Sequence, residues 1–170
     1  MTNASPEKSQ VTRLEEEGEI AADYLEELMD IVDLDGDIDL DIHHDRAAVE
    51  IVSEDSPGSL DALVGQDGEV LEALQDLTRL AVMARTGERS RLMLDVAGYR
   101  ARRRSELEAE ATAVISQVKE GGSAVSMRPM NAFERKVVHD VVAEQGLVSD
   151  SAGTEPQRHV VVHPAAPTDD

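Results

Sequence analysis

The chain has 170 residues, and its 36 acidic residues outnumber its 16 basic ones, which gives a formal net charge of −20. This length allows one or two small domains, and with 2% aromatic residues and no tryptophan any core must be aliphatic. The absence of cysteine excludes disulfides and cysteine-ligated zinc, and no apolar run approaches the roughly 20 residues of a membrane helix. The first residues lack the apolar segment of a signal peptide, so we expect a cytoplasmic protein without a membrane partner.

Residues 13–96 predict one complete α+β unit behind a disordered leader, residues 1–12. Apolar residues at helical spacing predict a helix over 13–32, and the alternation of Ile38, Leu40 and Ile42 with aspartates predicts a strand. A strand over 48–52, a short helix over 59–64, a helix over 69–85 and a strand over 91–96 follow. Leu77 and Leu80 are predicted to face inward from the longer helix. The predicted element order is α-β-β-α-α-β.

Residues 97–163 predict a second, smaller α/β unit. A strongly charged helix over 99–119 is followed by a short strand over 124–127 and a helix over 131–145. Two further strands, at 147–148 and 159–162, flank a polar loop. The tail, residues 164–170, is expected to be disordered.

The charge is unevenly distributed between these two units. Residues 1–96 carry a net charge of −18, whereas residues 97–170 carry only −2 and include a basic cluster at Arg100, Arg102, Arg103 and Arg104. Acidic surfaces repel nucleic acid at long range. If a polyanion binds, we therefore expect it on the carboxy-terminal unit.

A glycine-rich turn, Gly65-Gln66-Asp67-Gly68, separates two predicted helices in the first unit. Two glycines three residues apart permit a tight turn, and the free N–H groups of the following helix suit a sugar-phosphate backbone. A GxxG loop of this kind binds single-stranded nucleic acid in KH domains, and the element order resembles a type II KH domain. Asp67 opposes this role, because a carboxylate about 5 Å from a phosphate costs roughly 1 kcal/mol in water. An ordinary interhelical turn is the alternative for the motif alone.

The second motif is the pair Arg135 and His139, four residues apart on one face of a predicted helix. A guanidinium beside an imidazole can hydrogen-bond phosphates, and both flat groups can stack on bases. A solvated helix face is the alternative reading of the spacing by itself. In its setting of helix, strand and final strand, the pair resembles the R-three-H domain, a single-stranded nucleic-acid-binding module.

The two motifs and the segment between them together resemble the bacterial Jag family (SpoIIIJ-associated protein, also called KhpB or EloR). The resemblance covers residues 13–163 and includes the linking pattern LDV-x-GYR-x-RR, the segment PMNAFERKVVH and the segment GTEPQRHVVV. It implies an RNA-binding protein, an RNA chaperone or post-transcriptional regulator, that pairs with a small KH-domain partner, KhpA. Family members are linked to cell elongation, cell-wall homeostasis and sporulation. Many carry a separate Jag-N domain, which we do not expect in this sequence.

We therefore expect a non-catalytic protein that binds single-stranded RNA, with single-stranded DNA as an alternative ligand. We expect six basic residues to neutralise phosphates near Arg135 and His139. They are Arg100, Arg103, Arg104, Arg128, Lys136 and Arg158. No nucleotide loop, nucleophile-base pattern or metal set is evident, so no cofactor or metal is expected. The alternative function is an acidic protein-interaction adaptor that binds a KH partner with little direct RNA binding.

Overall fold

The computed structural model describes residues 6–54 and 57–165, and the chain has the mixed α+β fold that the sequence predicts. Its contacts divide it into two units, residues 1–100 and 101–170. The elements of the first unit are α1 (Pro6–Ile31), β1 (Asp37–His43), β2 (Arg46–Val52), α2 (Asp61–Val64), α3 (Glu69–Thr86) and β3 (Met93–Val96). Those of the second are α4 (Tyr99–Gly121), β4 (Val125–Pro129), α5 (Ala132–Glu144), β5 (Val148–Ala152) and β6 (His159–His163).

The first helix begins earlier than the sequence predicts. Residues 6–12 belong to α1 rather than to a disordered leader, because Val11 and Leu14 extend the apolar spacing of the helix toward its start. The rest of the leader, residues 1–5, lies outside the described residues, as do residues 166–170 of the predicted tail.

The first unit packs α1 and α3 against a three-stranded sheet in the order β1-β2-β3, with β1 antiparallel and β3 parallel to β2. Its core is aliphatic, as predicted, and draws on the buried residues Ala21, Leu25, Val49, Ile51, Leu71, Leu74, Leu92, Leu94 and Val96. Strand β1 forms one edge of this sheet, and its outward residues Asp37, Asp39 and Asp41 are exposed. The element order is the predicted one, α-β-β-α-α-β.

Helix α3 buries a different face from the predicted one. Its inward residues are Leu71, Leu74, Gln75, Thr78 and Val82. Leu77 and Leu80, which we predicted to face the core, are 50% and 55% exposed. The buried polar residues explain the choice, because the Leu94 N–H donates to Gln75 Oε1 over 3.0 Å and Thr78 Oγ1 donates to the Leu74 carbonyl. The inward face of α3 is therefore the one that carries Gln75, the hydrogen-bond acceptor for a backbone N–H of β3.

The second unit has a separate aliphatic core between two helices and an antiparallel sheet in the order β4-β6-β5. Helix α4 contributes the buried residues Leu107, Ala111, Ile115 and Val118, a stripe that the sequence predicts. Helix α5 contributes Val137, Val138 and Val142, and β6 contributes Val160 and Val162. Strand β5 is longer than predicted, because it pairs with β6 along its whole length.

One carboxyl group is buried against the first core. Glu17 of α1 is 6% exposed, and it hydrogen-bonds with Ser90. Burial, opposed by the charge of Arg13 and by the Ser90 hydrogen bond, raises the pKa of the Glu17 carboxyl above its ordinary value of 4.5. The folded chain therefore holds this proton at pH values where the unfolded chain has released it, so this group's contribution to stability falls as the pH rises through that window.

Replacing Glu17 with glutamine is expected to raise the melting temperature near pH 8 and to leave it almost unchanged near pH 4. Glutamine keeps a hydrogen-bond acceptor for Ser90 and removes the cost of burying a charge. Thermal unfolding followed by circular dichroism at the two pH values measures the difference. Glu16→Gln, at an exposed neighbouring position, is the control. A lower melting temperature for Glu17→Gln than for the control near pH 8 would contradict the prediction.

Candidate nucleic-acid interface

The GxxG segment forms a tight turn between α2 and α3. Gly65 has φ 73°, Asp67 has φ 53°, and Gly68, with φ 79°, caps the start of α3. Gln66 and Asp67 are exposed, so the two variable positions of the motif face solvent. Asp67 and the first-turn residues Glu69 and Glu72 place three carboxylates at this helix end. They oppose the attraction that the helix N-terminus offers to a phosphate.

Both glycines of this turn are required by their own surroundings. A Cβ added to Gly65 would lie 2.4 Å from Val70 Cγ2, and one added to Gly68 would lie 2.8 Å from Tyr99 Cε1. Both residues also have positive φ angles, which favour glycine. The fold alone therefore accounts for the two glycines, whether or not a ligand approaches them.

The segment between the units, LDV-x-GYR-x-RR, forms a network inside the first unit. Asp95 accepts hydrogen bonds from the N–H groups of Val96 and Arg100, and Glu50 accepts one from Gly98. The Arg100 guanidinium donates to the Leu94 carbonyl over 2.8 Å, to Glu72 over 3.1 Å and to Gln75 over 3.1 Å. Its side chain is only 15% exposed. Arg100, which we predicted to neutralise RNA phosphates, is instead held inside the protein.

Arg103 is held in the same way within the second unit. Its Nε and Nη2 atoms donate to Glu134 Oε1 over 2.8 and 2.6 Å, and its Nη1 donates to Glu106. The side chains of Arg103 and Glu134 are 12% and 3% exposed, so this is a buried ion pair. Glu134 Oε2 also accepts from the Asn131 N–H, which completes a capping box at the start of α5. The prediction that Arg103 faces a phosphate is therefore corrected: its charge is neutralised internally.

Arg135, the first member of the Arg-x-x-x-His pair, is mostly buried. Its guanidinium donates to the Met130 carbonyl and forms an ion pair with Glu155 over 2.8 Å. The side chain is 11% exposed, whereas that of Glu155 is 60% exposed. Arg135 therefore joins α5 to the segment before it and to the β5–β6 loop, and direct phosphate binding would require Glu155 to leave.

His139, the second member, lies between α5 and β5. Its Nδ1 is 2.7 Å from Ser149 Oγ, and its Nε2 is 2.9 Å from Ser151 Oγ. Both ring nitrogens thus have hydroxyl partners, and the ring is fixed in one orientation. The imidazole is only partly buried, so the ring edge and the two serines are open to a ligand.

Two of the exposed cations of the second unit are Arg104 of α4 and Lys136 of α5. The Lys136 side chain is 75% exposed and pairs with Asp140 over 2.8 Å. The hydrogen bond from Lys136, together with the charges of Lys136 and Arg104, holds the pKa of Asp140 below its ordinary value. Arg104 and Lys136 therefore both stabilise the charged form of the Asp140 carboxyl. We call Arg104, Lys136 and His139 the basic face.

The two remaining predicted cations, Arg128 and Arg158, are engaged more loosely. Arg128 forms a two-point ion pair with Glu110, with distances of 3.2 and 3.1 Å, and is 40% exposed. Arg158 donates to the Gly153 carbonyl over 2.9 Å. Surface pairs of this kind contribute little free energy, so a phosphate can compete for either arginine.

The structure thus separates the predicted site residues into two groups. Arg100, Arg103 and Arg135 stabilise the fold, whereas Arg104, Lys136 and His139 form an exposed group on the second unit. Ser149 and Ser151 were not among the predicted residues, and nothing in their local sequence distinguishes them. Their role depends on the pairing of β5 with β6, which places them against α5.

The second unit matches a known domain family. Residues 105–164 match the family model described as the R-three-H domain, so this unit is an R-three-H domain, as the Arg135 and His139 spacing predicts. In the part of the chain that the structure describes, no helix is long and apolar enough to cross a membrane.

Relatives of the chain extend the match into the first unit. The chain is 30% identical over 143 residues to the RNA-binding protein KhpB of Clostridium symbiosum, an alignment that covers 84% of this chain and 64% of the relative. It is 31% identical over 103 residues to the protein of the same name from Bacillus subtilis (strain 168), covering 59% and 50% of the two chains. The Lactiplantibacillus plantarum protein of that name is 30% identical over 141 residues, covering 82% and 42%.

These matches confirm the resemblance to the Jag family. The chain spans between 42% and 64% of the length of these relatives. Their names describe RNA-binding proteins and no enzymatic activity, in agreement with the expectation of a non-catalytic protein.

Proposed function

We propose that the protein binds single-stranded RNA in the cytoplasm through the basic face of its R-three-H domain. The observation that carries this proposal is the exposure of Arg104 on α4 and of Lys136 on α5, the helix that also carries the fixed ring of His139. Two cations on neighbouring helices can neutralise adjacent phosphates, while the hydroxyls of Ser149 and Ser151 offer further hydrogen bonds. The names of the relatives support RNA as the ligand.

The role that follows is that of an RNA chaperone or post-transcriptional regulator, with the link to cell elongation and cell-wall homeostasis that the family resemblance implies. A small group of exposed cations on an acidic protein favours weak, salt-dependent contact with many RNAs over tight binding to one. The first unit has the predicted element order of a type II KH domain, and we propose that it supplies a second, weaker contact at Gln66 and Asp67.

Replacing Arg104 or Lys136 with alanine is expected to weaken binding of a single-stranded RNA about 5-fold each at low salt, since each lost charge contact is worth about 1 kcal/mol. Each variant should also lower the salt dependence of the affinity by about 0.7 in the log–log slope. Fluorescence anisotropy of a labelled oligonucleotide measures both quantities. Lys119→Ala, another exposed cation on α4, is the matched control. The same affinity and slope for all three variants would refute the basic face as the RNA site.

Replacing Asp67 with asparagine is expected to tighten RNA binding about 5-fold at low salt, because it removes a carboxylate beside the predicted phosphate position. Asparagine tolerates the positive φ at this position, so the turn is kept. The same anisotropy titration measures the change, and Asp61→Asn in α2 controls for the change in net charge. If the two variants bind alike, the GxxG turn makes no contact with the RNA.

A second candidate function is protein interaction through the outer face of α3. Four large apolar side chains of this helix are exposed: Val70, Leu77, Leu80 and Met83. An exposed apolar patch of this kind is typical of a protein-binding surface. We propose that this stripe binds the small KH-domain partner, KhpA, that the family resemblance implies. A pull-down with and without nuclease treatment tests this proposal. A partner that dissociates after nuclease treatment was bridged by RNA. A partner that resists nuclease and is missing only from the Leu77→Asp/Leu80→Asp variant binds α3.

A further inference from the structure

An open cleft of about 400 Å³ lies in the first unit, away from the GxxG turn. Three segments line it: the start of α1, the turn between β1 and β2, and the loop that joins α3 to β3. None of residues 65–68 is among its lining residues. The cleft is therefore distinct from both motifs that the sequence singles out.

The cleft concentrates positive charge in an acidic unit. Residues 1–100 contain 25 acidic and 8 basic residues, and four of those eight, Arg13, Arg46, Arg89 and Arg91, line this one cleft. They come from all three of the lining segments, so only the folded unit brings them together. Such convergence against the overall charge of the unit indicates a site for an anion.

The acidic residues of the cleft do not fully compensate this positive charge. Glu17 is buried and bonded to Ser90, and Glu88 is 3.5 Å from Arg13 in an exposed pair. Asp45 is the third carboxylate of the lining. Three carboxylates therefore face four guanidinium groups, and one of the three lies beneath the surface.

Arg89 and Arg91 are the arginines best placed to bind a ligand. The buried Ser90 between them accepts a hydrogen bond from the Leu92 N–H, which fixes the loop and leaves its two neighbours exposed. Within residues 6–54 and 57–165, no ion pair or hydrogen bond occupies either guanidinium. Each of these two guanidinium groups can bind a phosphate with two N–H groups.

We propose that this cleft binds a phosphate group through Arg89 and Arg91. Arg13 and Arg46, which line the same cleft, add to its positive charge. The phosphate comes either from the backbone of the RNA, in which case the inference rests on the function proposed above, or from a free phosphoanion. A backbone phosphate would give the first unit an RNA contact that does not depend on Gln66 and Asp67.

Titration of the full chain with inorganic pyrophosphate tests the cleft independently of RNA. In ¹⁵N-resolved NMR spectra, the resonances of Arg89 and Arg91 are expected to shift with saturation, and Arg91→Ala should abolish the shift at Arg89. Arg85→Ala, an exposed arginine of α3 that does not line the cleft, is the matched control and should leave the shifts intact. No saturable shift at either arginine, or equal loss in both variants, would overturn the proposal.

RNA titrations of the same variants identify the source of the phosphate. For an RNA phosphate, Arg89→Ala and Arg91→Ala each lower the log–log salt slope by about 0.7, and Arg85→Ala does not. An unchanged slope with intact pyrophosphate binding supports a free phosphoanion. If Arg104→Ala and Lys136→Ala leave RNA binding intact, the proposal that RNA binds the basic face is rejected. The pyrophosphate titration still tests whether the cleft binds a phosphate.

Discussion

Replacing Arg103 with methionine is expected to destabilise the R-three-H domain by about 3 to 5 kcal/mol, the usual cost of leaving one member of a buried ion pair alone. Glu134 is 3% exposed, and its Oε1 accepts two hydrogen bonds from Arg103. Without the guanidinium, the carboxylate must remain charged in an apolar setting or take up a proton. For a domain of this size, the melting temperature should fall by more than about 10 °C.

Urea unfolding of the full chain, followed by circular dichroism, measures this loss. Arg103→Lys should cost less, because it keeps the charge and one donor. Glu134→Gln keeps a side-chain acceptor for the cap at Asn131. In that background, Arg103→Met should lower the free energy of unfolding clearly less than in the native chain. Equal costs in the two backgrounds would show that the ion pair does not stabilise the domain.

The neighbouring residue provides the matched control for this experiment. Arg104→Met changes the same charge one residue further along α4, but at an exposed position, so stability should change by less than about 0.5 kcal/mol. RNA affinity should instead fall with Arg104→Met, as proposed for Arg104→Ala. The two substitutions therefore separate an arginine that stabilises the fold from one that contacts the ligand.

Replacing Gly68 with alanine is expected to destabilise the first unit by about 2 to 5 kcal/mol. Part of this cost, about 1 to 2 kcal/mol, comes from placing an L residue at a φ of 79°. The remainder comes from the overlap of the new Cβ with the Tyr99 ring, 2.8 Å away, because overpacking costs about 1 to 3 kcal/mol.

Gly87→Ala separates the two contributions. Gly87 has a φ of 76°, but a Cβ added there meets no atom within 4 Å, so only the conformational cost applies. The overlap at Gly68 should also disappear in a Tyr99→Ala background, and the two substitutions should then be strongly non-additive. Equal unfolding free energies for Gly68→Ala and Gly87→Ala would contradict the predicted overlap.

The predicted loss of stability at Gly68 limits which variants can test RNA binding by the GxxG turn. A substitution at either glycine that weakens RNA binding would report lost folding as readily as a lost contact. The exposed pair Gln66 and Asp67 can be changed without either cost. Substitutions there, with both glycines kept, are therefore the appropriate test of the turn.

The sequence predicts most of the fold because its periodicities are clear. Alternation in β1 identifies the strand, and helical spacing in α4 identifies both the helix and its buried residues. Helix α3 is different, since it carries apolar residues on nearly every side. Its inward face depends on Gln75, whose Oε1 accepts from the N–H of Leu94, 19 residues away. No local pattern contains that information.

The candidate site is predicted less completely than the fold. The spacing of Arg135 and His139 identifies the R-three-H domain, because i and i+4 positions share a helix face. Spacing does not identify the acid that each arginine meets. Arg103 pairs with Glu134 across 31 residues, and Arg100 with Glu72 across 28, so two of the four arginines in the basic cluster of the sequence stabilise the fold. Arg104 and Lys136 remain available on the surface.

The aspartates along β1 have a consequence for the protein at high concentration. An edge strand presents unsatisfied backbone groups that can pair with a strand of another molecule and begin aggregation. Asp37, Asp39 and Asp41 place like charges along that edge, so two copies brought together there would repel each other. Part of the strong negative charge thus protects the chain from assembling with itself strand by strand.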